Sequence, residues 1–319
     1  MKLKNSLPQV KLSPLVKIVS FALLPVAIVL RFLQVRTLID PATGFYLKSS
    51  PLTWAVNLLL VGGAVAVAVC CYLSKDAENL RPLPYKNTGL FVLSLLFALM
   101  LVLNFVKCLD GFSLTSAGYG FGSFKELMST GALPLLFQAV FSLLSAVYFV
   151  FVAVSYLKGN LAAAKRRVLA LAPTAWVAAR LLHMFVRKIS FVRVSDLFFE
   201  IFACAFMILF FLAFAQTASG VYSTGMSWRL IGFGLPAAMI MLAMQIPRFV
   251  FVFIDSGAYL NENHPFSMTD LSFGLFALVL CFVLLRAPKA QEETSAPAAE
   301  KAPQEPSPFD DISPINFGE

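Results

Sequence analysis

Eight long apolar runs, each joined to the next by a polar connection, leave this chain few ways to fold. A bilayer core ~30 Å thick takes roughly 20 residues of helix at a rise of ~1.5 Å each. The runs lie at 15–36, 52–73, 89–107, 132–156, 167–187, 197–217, 229–253 and 269–286. Hydrocarbon offers no partner to a backbone amide, so each run is expected as a helix. The expected fold class is an all-α integral membrane protein: a bundle of about eight transmembrane helices over residues 15–286. An N-terminal segment, 1–14, precedes it, and an acidic, Pro-rich tail, 287–319, follows. The last run is short enough to suit a tilted or partly interfacial helix.

Composition excludes the soluble alternative. Only 13% of the residues are charged and 59% are hydrophobic, against about 25% charged in an ordinary soluble domain. The net charge of +8 raises the question of nucleic acid. Residues 287–319 nevertheless hold seven acids against Lys289 and Lys301, so the excess of cations belongs to the membrane body. Basic residues on short loops beside hydrophobic spans suit lipid headgroups, and no loop is large enough for a nucleic-acid surface. Membrane lipids are therefore the expected partners, and nucleic acid is not one.

Loop charge also sets an expected orientation. One side collects Lys2, Lys4, Lys11, Lys75, Arg81, Lys86, Lys158, Lys165, Arg166, Arg167, Arg229 and Arg286. The other collects Arg36, Lys48, Lys125, Arg187, Lys188 and Arg193. The richer side is expected to be cytoplasmic, with both termini inside and the bundle in the plasma membrane. Lys2, Lys4, Lys11 and Lys17 ahead of an apolar stretch have the shape of a signal peptide. Arg31 to Arg36 then follow where a small-residue cleavage site would stand, so the run reads as a retained helix.

Other features bear on mechanics. Pro25, Pro173 and Pro236 fall within runs one, five and seven, where a missing donor marks a bend or hinge. The connection 108–131 is rich in glycine and contains Gly118-Tyr119-Gly120, but it lacks the pore helix and Thr register of a potassium filter. Gly62 and Gly63 with Ala66 and Ala68 permit close helix packing, within one chain or between two. Cys70, Cys71, Cys204 and Cys281 lie inside apolar runs and Cys108 at the end of one, without metal or disulfide spacing. His264, near Glu262, reads as loop polarity. No metal, cofactor or catalytic set is expected.

The distinctive feature is charge inside the spans. Arg31 stands fourteen residues beyond Lys17, and Arg180 thirteen beyond Arg167, which places each arginine ~20 Å into the core. Gln34 and His183 follow them by three residues, on the same helical face, and Arg187 continues that face in run five. Run six supplies acids: Asp196 is expected to face Arg187, and Glu200 to face Arg180. Arg248, with Asp255 and Asp270 beyond it, adds charge nearer the far surface. Such residues usually turn into the bundle and pair. Together Arg31, Gln34, Arg180, His183, Arg187, Glu200 and Arg248 form a candidate pocket for an anionic ligand. The matched Pro and Arg positions of runs one and five also suggest a four-plus-four duplication.

The tail supplies the second candidate. Its proline spacing and polarity predict disorder, yet Phe309, Ile312, Ile315 and Phe317 stand among Asp310, Asp311 and Glu319. That pattern suits a segment, 305–319, that folds on a cytosolic protein partner. Two functions follow: a non-catalytic scaffold, assembly factor or sensor docking a partner through its tail, or a transporter or flippase for an anionic solute or lipid. A membrane enzyme lacks a plausible acid/base or nucleophile set.

Overall fold

The computed structural model describes residues 13–40, 46–48, 50–74, 86–117, 124–160, 163–186, 194–220, 226–254 and 266–286. The N-terminal residues 1–12 and the tail with Phe309, Ile312, Ile315 and Phe317 lie outside the described residues, as do Arg187, Asp255, Glu262, His264 and Gly118 to Gly120.

Every apolar run is helical. The elements are α1 (Ser13–Leu38), α2 (Pro51–Asn57), α3 (Gly63–Ser74), α4 (Thr88–Ala117), α5 (Phe124–Ser129), α6 (Ala132–Lys158), α7 (Ala172–Val186), α8 (Val194–Ala218), α9 (Met226–Ile254) and α10 (Met268–Arg286). Eight stretches are long and apolar enough to cross a membrane. The second joins α2 to α3 through a π turn at Leu58–Gly62, and the fifth joins a 3₁₀ turn at Leu169–Leu171 to α7. Among the described residues the extended backbone amounts to one isolated bridge, Ile39 with Tyr46.

Helix α9 is the axis of the bundle. It packs against α1, α3, α8 and α10, and α10 also packs against α4. Leu230, Ile231, Leu235 and Ala237 through Met244 are each no more than 1% exposed. A helix that is apolar all round has to be surrounded, and small residues let its neighbours approach. A Cβ on Gly234 would stand 2.8 Å from both Cys281 Sγ and Phe210 Cδ2, and one on Gly274 of α10 would stand 2.8 Å from Leu242 Cγ. Such close contacts are how helices associate where lipid removes the hydrophobic drive. Gly63 does the same within the chain, its added Cβ meeting Leu23 of α1 at 3.2 Å. Outward positions remain apolar: Phe21, Leu58 and Leu99 are 74%, 76% and 55% exposed, as lipid contact requires.

A phenylalanine stack fills the space between α4, α6, α8 and α10. Phe97 makes an edge contact with Phe149 at 4.7 Å between centroids. Phe211 and Phe273 follow at 5.3 Å, and Phe149 with Phe276 also at 5.3 Å. Each such pair contributes ~0.5–1.5 kcal/mol beyond its area, and all five rings are at most 1% exposed.

Two sequence expectations need correction. The third span continues as helix to Ala117, so Cys108 is helical, and a Cβ on Gly111 would come within 3.1 Å of Leu135 in α6. The polar residues past 107 remain compatible with a helix that has α6 to pack on. Pro173 bends nothing in mid-helix: it is the second residue of α7, where its missing donor is one the helix start leaves unused anyway. The short eighth span packs Phe273, Phe276, Ala277, Leu280 and Cys281, all fully buried, against its neighbours α4 and α9.

Candidate functional site

Three odd-numbered spans end on the membrane face where two even-numbered ones begin. Arg31, Arg180 and Arg248 stand six or seven residues before the ends of α1, α7 and α9. Asp196 and Asp270 occupy the first turns of α8 and α10. Carboxylates are favoured at helix N-termini and cations toward C-termini, because each complements the peptide dipoles. The sequence thus places opposite charges at one level of the bundle from helices running in opposite directions.

Asp196 is the bridge of the larger group. Its Oδ1 accepts from Arg31 Nη2, and its Oδ2 accepts from Arg248 Nη2 at 3.0 Å. Arg31 also donates through Nη1 to Gln34 Oε1 at 2.5 Å, and Gln34 Nε2 donates to the Tyr46 hydroxyl at 3.2 Å. The Arg31 guanidinium lies 5.5 Å from the centre of the Phe199 ring, a further attraction at a buried site. Arg248 completes its contacts with Glu200, Nη1 to Oε1 at 3.7 Å. Arg31, Arg248 and Asp196 are all buried.

The second group is a two-pronged pair. Arg180 donates through Nη1 to Asp270 Oδ1 and through Nη2 to Oδ2 at 2.7 Å. This is the fork geometry that makes arginine–carboxylate bonds strong. Asp270 is fully buried. Its freedom to face Arg180 has a local cause. Ser267 caps α10, its Oγ accepting from Asp270 N at 3.3 Å. In a reciprocal capping box the acid three residues on would bond the cap's own N–H. Here Gln245 of α9 does so instead, Oε1 accepting from Ser267 N at 3.0 Å. The two groups are electrostatically joined, since Glu200 interacts with both Arg248 and Arg180.

The cluster is balanced. Three arginines (Arg31, Arg180, Arg248) meet three carboxylates (Asp196, Glu200, Asp270). A lone charge at the bilayer centre costs ~2.5–3.5 kcal/mol on insertion scales, and pairing removes much of that cost. Arg180 takes Asp270 of the last span as its two-pronged partner, with Glu200 adding attraction. Asp196 pairs with Arg31 and Arg248, while Arg187, its expected partner, lies outside the described residues. The His183 Nδ1 lies 3.1 Å from the Gly131 carbonyl oxygen, at the start of α6. Asp270 and Asp196 are the members that spacing arguments undervalued. The Ser267-x-x-Asp270 cap was the legible sign for one of them. Arg31 and Arg180 take non-equivalent partners, one on the sixth span and one on the eighth, so the charge network does not follow a four-plus-four repeat.

These features define a polytopic α-helical integral membrane protein whose helices are locked near one face by buried ion pairs. No protein-family model, curated protein or solved structure matches the chain.

Proposed function

We propose that this is a non-catalytic membrane platform, a scaffold, assembly factor or sensor, that docks a cytosolic protein through residues 305–319. One observation carries the reading: the six charges inside the bundle satisfy one another. An anion entering there would have to displace Asp196 from two arginines at once, or Asp270 from a two-pronged bond. Such a cluster suits fixing the order of five helices better than exchanging a ligand. The phenylalanine stack beside it supports the same view, since a transporter usually keeps polar groups near the midplane. Both termini would lie on the cytoplasmic side of the plasma membrane, in keeping with the loop charges.

The test is capture of a soluble partner from gently solubilised membranes by the full chain and by a chain ending at Gln304. The expected result is a partner retained by the first, lost by the second, and displaced by a peptide of residues 305–319. Equal capture by both chains sinks the proposal.

A transporter or flippase for an anionic solute or lipid is the second reading, and Glu200 favours it. That carboxylate sits at 3.7 Å from Arg248, the longest ion pair of the cluster, and its side chain is 19% exposed, so it is the acid most easily replaced by an incoming anion. Under this reading Arg180→Gln abolishes the cellular activity while the protein still folds. Full activity in that variant removes the alternative.

A further inference from the structure

The second membrane face, where α6 ends and the fifth span begins, carries a feature the charge cluster does not explain. A groove of about 700 Å³ runs between α6 and the start of α7. That volume falls in the range of pockets that enclose much of a small ligand, ~300–1,000 Å³. Its walls are Phe141 and Leu144 of α6, with Leu171, Ala172 and Ala175 opposite. Its mouth is Arg166, Arg167 and Val168.

Helix lengths place this mouth at the membrane boundary. The 18 residues from Leu169 to Val186 rise ~27 Å, close to a bilayer core of ~30 Å. The 27 residues of α6 rise ~40 Å and therefore overshoot that core by about two turns. The chain after α6 turns back along this overshoot, and the Arg166 guanidinium comes to rest 4.4 Å from the centre of the Phe151 ring. Arg166 and Arg167 thus stand at headgroup level, while the groove below them descends between apolar side chains.

Charge points to the occupant. Lys165, Arg166 and Arg167 are consecutive and exposed, and among the described residues no carboxylate forms an ion pair with them. This contrasts with the opposite face, where every buried arginine has its acid. Val168, next in sequence, is 88% exposed, so the mouth offers apolar surface directly beside cations that have no carboxylate partner among the described residues. A soluble anion would use the arginines and leave the groove empty, and a neutral lipid would use the groove and leave the arginines unmatched. We infer that the groove is a binding site for an anionic phospholipid, its phosphate held by Arg166 and Arg167 and one acyl chain laid along Leu144 and Phe141.

The test uses the full chain in a mild non-ionic detergent. Its thermal unfolding is followed while phosphatidylglycerol or phosphatidylcholine with identical acyl chains is titrated in. Half-maximal stabilisation is expected at an about thirtyfold lower concentration of the anionic lipid, the scale of effect of two arginines near an anionic headgroup. The double variant Arg166→Gln, Arg167→Gln erases that preference. Arg229→Gln, which removes an exposed cation from the same face outside the groove, keeps it. Ala175→Phe fills the groove and raises the concentration of phosphatidylglycerol required. Equal response to the two lipids, a preference that survives loss of both arginines, or an unchanged response in Ala175→Phe overturns the assignment. So does equal stabilisation by inorganic phosphate alone, because then the acyl groove plays no part.

Discussion

Asp270 shows how one carboxylate is committed by its neighbours. Ser267 and Gln245 between them satisfy the cap of α10, which leaves both Asp270 oxygens for the Arg180 fork. Breaking a buried pair by removing one partner typically costs ~3–5 kcal/mol, because the remaining charge is stranded. Asp270→Asn is therefore expected to lose about that much stability, and the double variant Asp270→Asn, Arg180→Gln to lose clearly less than the sum of its single changes. A double-mutant cycle in detergent unfolding measures this, and additive losses would show that the two side chains are uncoupled. Part of this site was legible in the sequence. An arginine deep in an apolar run either snorkels to the headgroups or turns inward to an acid, which singled out Arg31, Arg180 and Arg248 without any structure. Their partners were not legible, because Arg180 and Asp270 are 90 positions apart and no spacing rule chooses between Glu200 and Asp270 across helices. The contact of His183 with the Gly131 carbonyl at the start of α6 was equally hidden, because it joins residues 52 positions apart.

The helices themselves were far easier to read, since length and apolarity are local properties. All eight spans stand where the hydropathy put them. The errors fell where tertiary contact decides: α4 runs on past its apolar run because α6 supports it, and Pro173 is harmless because α7 begins there. What hydropathy could not convey is that α9 is central, although Gly232, Gly234 and Gly274 were visible markers of close approach. A Cβ at position 234 would meet Phe210 and Cys281, both fully buried and unable to move aside. Gly234→Ala is expected to destabilise the bundle by ~1–3 kcal/mol, the usual cost of overpacking. Gly62 is the contrasting case, since its added Cβ meets only Leu58 of its own span, at 3.5 Å. Gly62→Ala should leave stability unchanged or raise it by up to ~1 kcal/mol through helix propensity. Thermal unfolding of the two variants side by side distinguishes a packing role for Gly234 from a general preference for alanine. Similar losses in both would mean that contact with α8 and α10 is not what fixes residue 234.

At the scale of the whole molecule the two membrane faces are built on different electrostatic plans. One carries three arginines and three acids that cancel within the bundle. The other carries exposed Lys165, Arg166, Arg167 and Arg229, which pair with no carboxylate among the described residues. The first plan spends its arginines on acids inside the bundle, whereas the exposed cations of the second attract anionic headgroups at ~1 kcal/mol per basic residue. That asymmetry is what insertion reads, because basic residues near span ends are retained on the cytoplasmic side. A fluorescent reporter that matures only in the cytoplasm, fused after Glu319, is expected to glow, and a phosphatase active only outside is expected to stay silent at the same site. Exchanging Lys165, Arg166 and Arg167 for glutamine should weaken that bias without inverting it, since the basic N-terminal segment and Arg229 remain. An active phosphatase after Glu319 would reverse the whole arrangement. The self-paired cluster would then face the cytoplasm, the lipid groove would open to the outer leaflet, and residues 305–319 could not reach a cytosolic partner at all.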